Sequence, residues 1–186
     1  TDLINAPEDA PAWARELQTL CDAVTEQETR KNARLMRKFE ISLARGLSNE
    51  DQAAVVKRFC DDHFTRYGLV SVVSIHNTLA SDGDWNPHAH ILVTNRTISA
   101  DGWHKGKGNI RWMNSIETLA LWRQKMGEYV NEALERAGID RPVTYQSYAS
   151  RGIDREVTRP LGYEAAALEK QGIATEQGNY NRDVRL

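Results

Sequence analysis

The sequence predicts an α+β domain, an antiparallel sheet that carries a three-histidine hairpin and is flanked by helices. Three observations predict it. Residues 69–75 (L-V-S-V-V-S-I) and 90–94 (H-I-L-V-T) are β-rich runs on either side of the turn signal Asp82-Gly83. Residues 48–67 and 114–137 repeat apolar side chains at helical spacing behind cap signals. The two kinds of segment interleave along the chain, which is the pattern of an α+β fold.

Pro11 is placed to open a helix, with Trp13, Leu17, Leu20 and Val24 at helical spacing. The charged stretch from Glu26 to Lys38 is expected to continue that helix as a solvated face. F39-E-I-S-L-A44 alternates apolar and polar residues and predicts a strand with Glu40 and Ser42 on one face. Ser48 with Asp51 makes a capping-box-like start. Val55, Phe59, Phe64 and Tyr67 then share a stripe that ends at Gly68. Tyr67 and Tyr129, both on such stripes, are expected in the core. Residues 97–109 hold three glycines without periodicity and predict a loop. Asn114 and Glu117 give a second cap signal, followed by the stripe Leu119, Trp122, Met126, Tyr129, Val130, Ala133 and Ala137 and the stop residue Gly138. Residues 139–186 read as a polar, partly helical extension of the single domain 1–186, with a short strand at Val143–Tyr148 and a helix at Tyr163–Lys170.

The chain has 186 residues, of which 40% are hydrophobic and 27% charged, and a formal net charge of −2. That is enough chain for one domain with a real core. The balance argues against a generic nucleic-acid coat and leaves room for a local basic face. No apolar run approaches the roughly 20 residues that span a bilayer. Cys21 and Cys60 are the only cysteines, which fits a reducing cytoplasm and excludes a cysteine-rich zinc module. The first residue is Thr, so material upstream is expected to be missing.

The chemistry concentrates in I75-H76 and N86-P-H-A-H-I-L-V-T94. A lone histidine is most simply a surface residue. Three within fifteen positions, two of them at i and i+2 on one strand face, favour a metal site over that reading. Register decides the matter. A strict two-residue Asp82-Gly83 loop pairs His76 with Ala89 and sends its ring to the face opposite His88 and His90. Convergence therefore requires an odd-length tip, such as Asp82-Gly83-Asp84, or a bulge near Pro87. Three neutral imidazoles leave coordination positions open, which suits catalysis on an anionic ligand such as a phosphodiester.

N86-P-H-A-H-I-L-V-T-N-R96, preceded by I75-H76, resembles the histidine–hydrophobic–histidine (HUH) motif of DNA relaxases, closest to the MobA/MobL branch of mobilisation and conjugation proteins. F39-E-I-S-L-A-R-G-L-S48, L121-W-R with V130-N-E-A-L-E-R-A-G-I139, and R151-G-I-D-R-E156 with L161-G162 and A167-L-E-K-Q-G-I173 extend the likeness over nearly the whole chain. The resemblance implies a bacterial, cytoplasmic enzyme that nicks single-stranded DNA at a plasmid origin of transfer through a 5′-phosphotyrosyl link, together with relaxosome accessory proteins. It implies His76, His88 and His90 as ligands of a divalent ion. Mg²⁺ or Mn²⁺ comes first, with Zn²⁺, Ni²⁺ or Co²⁺ able to substitute in vitro. Glu40 matches the family's acidic strand residue, which orients a histidine or accepts the tyrosine proton; a plain solvent-facing role is equally open.

In this branch the nucleophilic tyrosine lies near the N-terminus, behind a first strand. That strand–helix segment is expected upstream of Thr1. Pro160 departs from the histidine the family often has there. A rolling-circle replication initiator and a non-catalytic metal- and DNA-binding module are the alternatives. Lys105, Lys107, Arg111 and Trp112, with Trp85 and Trp103 nearby, are the candidate DNA contacts, because aromatics among cations suit single strands. Inward packing of Trp112 is the competing reading. His63 and His104 carry no such context.

Overall fold

The computed structural model describes residues 3–80, 83–104 and 110–185 and divides into two compact units, Thr1–Tyr145 and Gln146–Leu186. In the first unit, β1 (Leu3–Asn5), β2 (Met36–Ser42), β3 (Ser71–Leu79) and β4 (Trp85–Thr94) form an antiparallel sheet in the order β1-β3-β4-β2. The fold is therefore α+β with an antiparallel sheet, as the sequence predicts. Helices α2 (Asn49–His63) and α3 (Ile116–Arg136) cover one sheet face. Phe39, Val73, Ala89, Ile91 and Val93 from the strands pack there against Val56, Phe59, Phe64, Trp122, Val130 and Ala133. Helix α1 (Leu17–Gln27) covers part of the opposite face, where Val70 and Val72 meet Leu20 and Val24. The rest of that second face is left to the polar side chains of β2, β3 and β4.

The helix starts follow local chemistry. Ser48 Oγ accepts the Asp51 N–H at 3.1 Å and Ser115 Oγ accepts the Thr118 N–H at 3.0 Å, each relieving a donor that the first turn leaves unpaired. The second cap is thus Ser115 rather than the expected Asn114. The Asn114 side chain instead accepts from Arg37. Pro11 opens only a 3₁₀ turn, Ala12–Arg15, and α1 begins afresh behind Glu16, whose carboxylate takes the N–H groups of Gln18 and Thr19 at 3.1 and 2.8 Å. Gly68 (φ +80°) turns the chain from the end of the α2 segment into β3, with Thr97 too close for a side chain to fit easily.

Four local expectations are corrected. The charged stretch 26–38 is not a continuous helix. The chain leaves helix after Gln27, Glu28 turns inward onto Arg96 at 2.7 Å, and Met36–Lys38 join β2 by pairing with Thr94–Leu92. Strand pairing and a buried ion pair outweigh helix propensity there. Tyr67 is half exposed on a 3₁₀ turn, Thr65–Tyr67, whereas Tyr129 is buried. Residues 97–104 include a small ribbon, β5 (Ile98–Ser99) with β6 (Gly102–Trp103), where Trp103 packs on Trp13 at 5.3 Å. Val143–Tyr148 forms no strand, and Asn131 of α3 instead takes both Val143 backbone groups at 2.8 and 3.0 Å.

The second unit contains the expected helix, α4 (Gly162–Lys170), and one more, α5 (Glu176–Arg185). Glu169 joins them. It accepts from Thr175 N–H at 2.7 Å and pairs with Arg182 at 2.7 Å. Arg182, then the Thr175 backbone, hold its carboxyl down at about 2, below the ordinary 4.5. This bracing is present above about pH 4.5 and is lost as pH falls toward 2. Glu169→Gln is expected to weaken the α4–α5 pair at neutral pH and to flatten its acid titration over that range. Helix content followed by circular dichroism from pH 6 to about 2 checks this, and an acid titration identical to wild type counts against it.

Candidate metal centre

The histidine face is assembled by register. Directly opposed residues of an antiparallel pair share a face. Glu40, His90 and Ser74 form one cross-strand row. Ser42, His88 and His76 form the next row. Lys38, Leu92 and Val72 form the row on the other side. The hairpin has the odd parity that convergence requires. His76 opposes His88, the pairing runs unbroken through Pro87, and Ala80 N–H donates to Asp84 O at 2.9 Å. The turn is therefore closed by Ala80 and Asp84, so Asp84 pairs rather than standing in the tip as Asp82-Gly83-Asp84 would have it. Ser81 and Asp82 lie outside the described residues. Gly83, at φ +80°, supplies a turn position that other residues resist.

The three rings meet. Their centroids are 5.5 Å (His76–His88), 4.9 Å (His76–His90) and 5.1 Å (His88–His90) apart, at angles between 69° and 89°. One nitrogen from each lies within 4.8 Å of the others, a spacing that fits one ion. His88 Nδ1 is 2.9 Å from the Asn86 carbonyl. A carbonyl only accepts, so Nδ1 carries the proton and Nε2 keeps a free lone pair. His90 Nδ1 is buried without a hydrogen-bond partner, and Glu40 Oε2 stands 3.6 Å from it. A small rotation of the exposed Glu40 side chain closes that gap. Desolvation, then the positive charge of Lys38, push the His90 pKa down against the pull of Glu40. The shift favours the neutral ring, the form that ligates.

Among the described residues, no other candidate joins the histidine face apart from Glu40. Lys105 and Lys107 fall outside the described residues, as does the side chain of Arg111, whose backbone opens the 3₁₀ turn Arg111–Asn114. Trp112 is half buried, with its ring 4.9 Å from Tyr67 and 6.0 Å from Trp122. Trp85 is exposed near the hairpin tip, on the face opposite the histidines. Sequence reasoning missed Lys38 and Ser74 on the histidine face. Strand alternation through Lys38, Glu40 and Ser42 carried the first of these, and masking by the charged run hid it.

The tyrosines of the first unit belong to the helical side. Tyr129 donates to Asp62 Oδ2 at 2.7 Å beneath Arg58, Tyr145 packs on Gly127 of α3, and Tyr67 packs on Trp112 with the rings tilted at 51°. In the second unit Tyr163 is exposed and Tyr180 donates to the Val157 carbonyl at 3.2 Å.

Comparison with known proteins returns one family model, the MobA/MobL family, matching residues 1–171. The chain is 31% identical over 202 aligned positions to the conjugal transfer protein TraA of Agrobacterium fabrum, covering 91% of this chain and 18% of that protein. It is 26% identical to mobilization protein A of Escherichia coli, over 81% of this chain and 23% of that protein. The chain thus spans about a fifth of the length of these relatives. A solved structure from work on the molecular basis of vancomycin resistance transfer in Staphylococcus aureus superposes with a TM-score of 0.69 at 28% identity, covering 80% of this chain and 76% of that one.

Proposed function

Because the chain belongs to the MobA/MobL family, we propose that it forms the metal- and DNA-binding part of a relaxase that nicks one DNA strand at a plasmid origin of transfer for conjugation or mobilisation. The observation that carries this reading is the convergence of His76, His88 and His90 on an open sheet face beside Glu40. In this reading the three imidazoles hold a divalent ion, Mg²⁺ or Mn²⁺ in the cell. Once bound, the ion polarises the phosphoryl oxygens and offsets charge in the transition state. Asn86 fixes the ligating tautomer of His88, and Glu40 orients His90 through Nδ1. A tyrosine oxygen bonds to phosphorus, the bond to the 3′ oxygen breaks, and that oxygen leaves, taking a proton from water to become the 3′-OH. The tyrosine proton passes to a carboxylate such as Glu40.

Lys105, Lys107, Arg111 and Trp112 are assigned to the same DNA strand. Accessory proteins at the origin and a cytoplasmic location complete the reading. No helix among the described residues is long and apolar enough to cross a membrane. One observation favours a second reading for the chain by itself. Tyr67, Tyr129 and Tyr145 all lie on the helical side of the sheet, so a module that binds metal and DNA without cutting fits the first unit equally.

Incubation with Mn²⁺ and a single-stranded origin oligonucleotide separates the two. A covalent adduct resistant to denaturation supports the nicking reading. Metal-dependent binding without an adduct supports the binding module. Binding of neither overturns both. Substituting each tyrosine in turn then tells a relaxase from a replication initiator, whose nucleophile follows the histidines. Glu40→Gln is expected to weaken Mn²⁺ binding about tenfold, the usual cost of losing a partner behind a ligand. Calorimetry with Mn²⁺ checks this, and an unaltered affinity returns Glu40 to a solvent-facing role.

A further inference from the structure

We propose that the outer edge of β2 is a self-association surface, on which a second copy of this chain adds its own β2 antiparallel across a two-fold axis at Phe39. β2 ends the sheet order β1-β3-β4-β2, so one of its sides carries no neighbouring strand among the described residues. Met36–Ser42 pair with β4 without a break, and neither proline nor bulge blunts the strand. A regular edge of this kind is a template for another strand unless something discourages pairing.

Hydrogen-bond parity fixes which groups the edge offers. One step beyond the Ser42–His88 pair, Leu43 N–H donates to the Pro87 carbonyl at 2.9 Å. Positions in an antiparallel ladder alternate between bonded and non-bonded pairs. Phe39 and Ile41 therefore bond to β4. The backbone N–H and C=O groups of Met36, Lys38, Glu40 and Ser42 point outward along the free edge.

The strand's own sequence says which partner fits. M36-R-K-F-E-I-S42 is complementary to itself about its centre. With Phe39 opposite its counterpart, Lys38 of each copy opposes Glu40 of the other, and Met36 opposes Ser42. These are the outward-bonding positions, so each such pair exchanges both backbone bonds. Opposite charges directly across a pair are favourable and like charges are not. A two-fold at Lys38 or at Glu40 would set like charges face to face, whereas the axis at Phe39 joins unlike charges twice.

The apolar side agrees. Phe39 and Ile41, half-buried on the helical face, line a groove of about 540 Å³ with Leu119, Trp122, Met126 and Tyr145. Glu40 and Ser42 border it as well, although their side chains take the other face, which puts its mouth at the strand edge. Leu119 and Tyr145 are exposed there. The two-fold brings both mouths together and covers them. The two four-stranded sheets then run on as one, with both histidine centres on the same face and the two β4 strands roughly 14 Å apart.

Sedimentation equilibrium of the chain over a concentration series, without metal or DNA, tests this. Wild type is expected to show a monomer–dimer equilibrium. Lys38→Glu and Glu40→Lys each set like charges in both pairs, and each is expected to weaken self-association about tenfold. Mixing these two single variants is expected to restore dimers, because every opposed pair is then Glu against Lys. The double variant carrying both changes regains dimers by itself. Thermal melts matching wild type separate lost association from lost fold. A wild-type chain that stays monomeric at every concentration overturns the surface and leaves the edge to an extended segment of another protein. Dimers that ignore both reversals also overturn it, since another surface would hold them. A mixture that stays monomeric overturns the axis at Phe39. None of these outcomes touches the relaxase reading.

Discussion

His88→Ala is expected to lower Mn²⁺ affinity by on the order of a hundredfold or more, while His104→Ala leaves it unchanged. Loss of a partner behind a ligand already costs ten- to a hundredfold, and His88 is placed as a ligand itself. Its Nδ1 proton is committed to the Asn86 carbonyl at 2.9 Å, which aims Nε2 at the point shared with His76 and His90. Alanine leaves two imidazoles and one more open position. The fold is expected to survive, because His88 is only partly buried and its row neighbours are Ser42 and His76. Calorimetric titration with Mn²⁺ reads the affinity, and a thermal melt confirms the fold. An equal affinity in wild type and variant would show that the rings gather without holding an ion.

Phe64→Ala is expected to destabilise the first unit by about 3–5 kcal/mol. Phe64 is fully buried, with ring centroids 5.5 Å from Phe39, 5.7 Å from Phe59 and 5.3 Å from Trp122. This knot joins β2, α2 and α3, so truncation leaves a cavity at a junction of three elements. For a unit of this size the melting temperature drops by about 10 °C or more. The effect reaches the site, since Phe39 lies on β2 between Lys38 and Glu40. Calorimetric melting measures it, and a shift below about 2 °C would mean that the neighbouring rings close the gap.

Local chemistry told much of this in advance. The cap at Ser48, the buried positions Val55 and Phe59 of α2 and Trp122, Met126, Tyr129, Val130 and Ala133 of α3, and the β-branched run of β3 are short-range signals, and these appear where periodicity puts them. Segments decided by distant partners went differently. Met36–Lys38 looked helical and became strand because β4 was there to pair with them. Trp103 looked like a free aromatic and found Trp13. Trp112, with its two readings open, found Tyr67 and Trp122.

From the amino acids alone came the kinds of element, the identity of the three imidazoles and the condition for their meeting, an odd hairpin. Tertiary structure chose the turn that satisfies the condition, opposing His76 to His88, and laid the β2 edge alongside, so that Glu40 and Lys38 joined the same face. The division has a physical cause. Periodicity and caps act within a few residues, whereas register is one sum over a whole strand pair, and a single step in it turns every side chain to the other face.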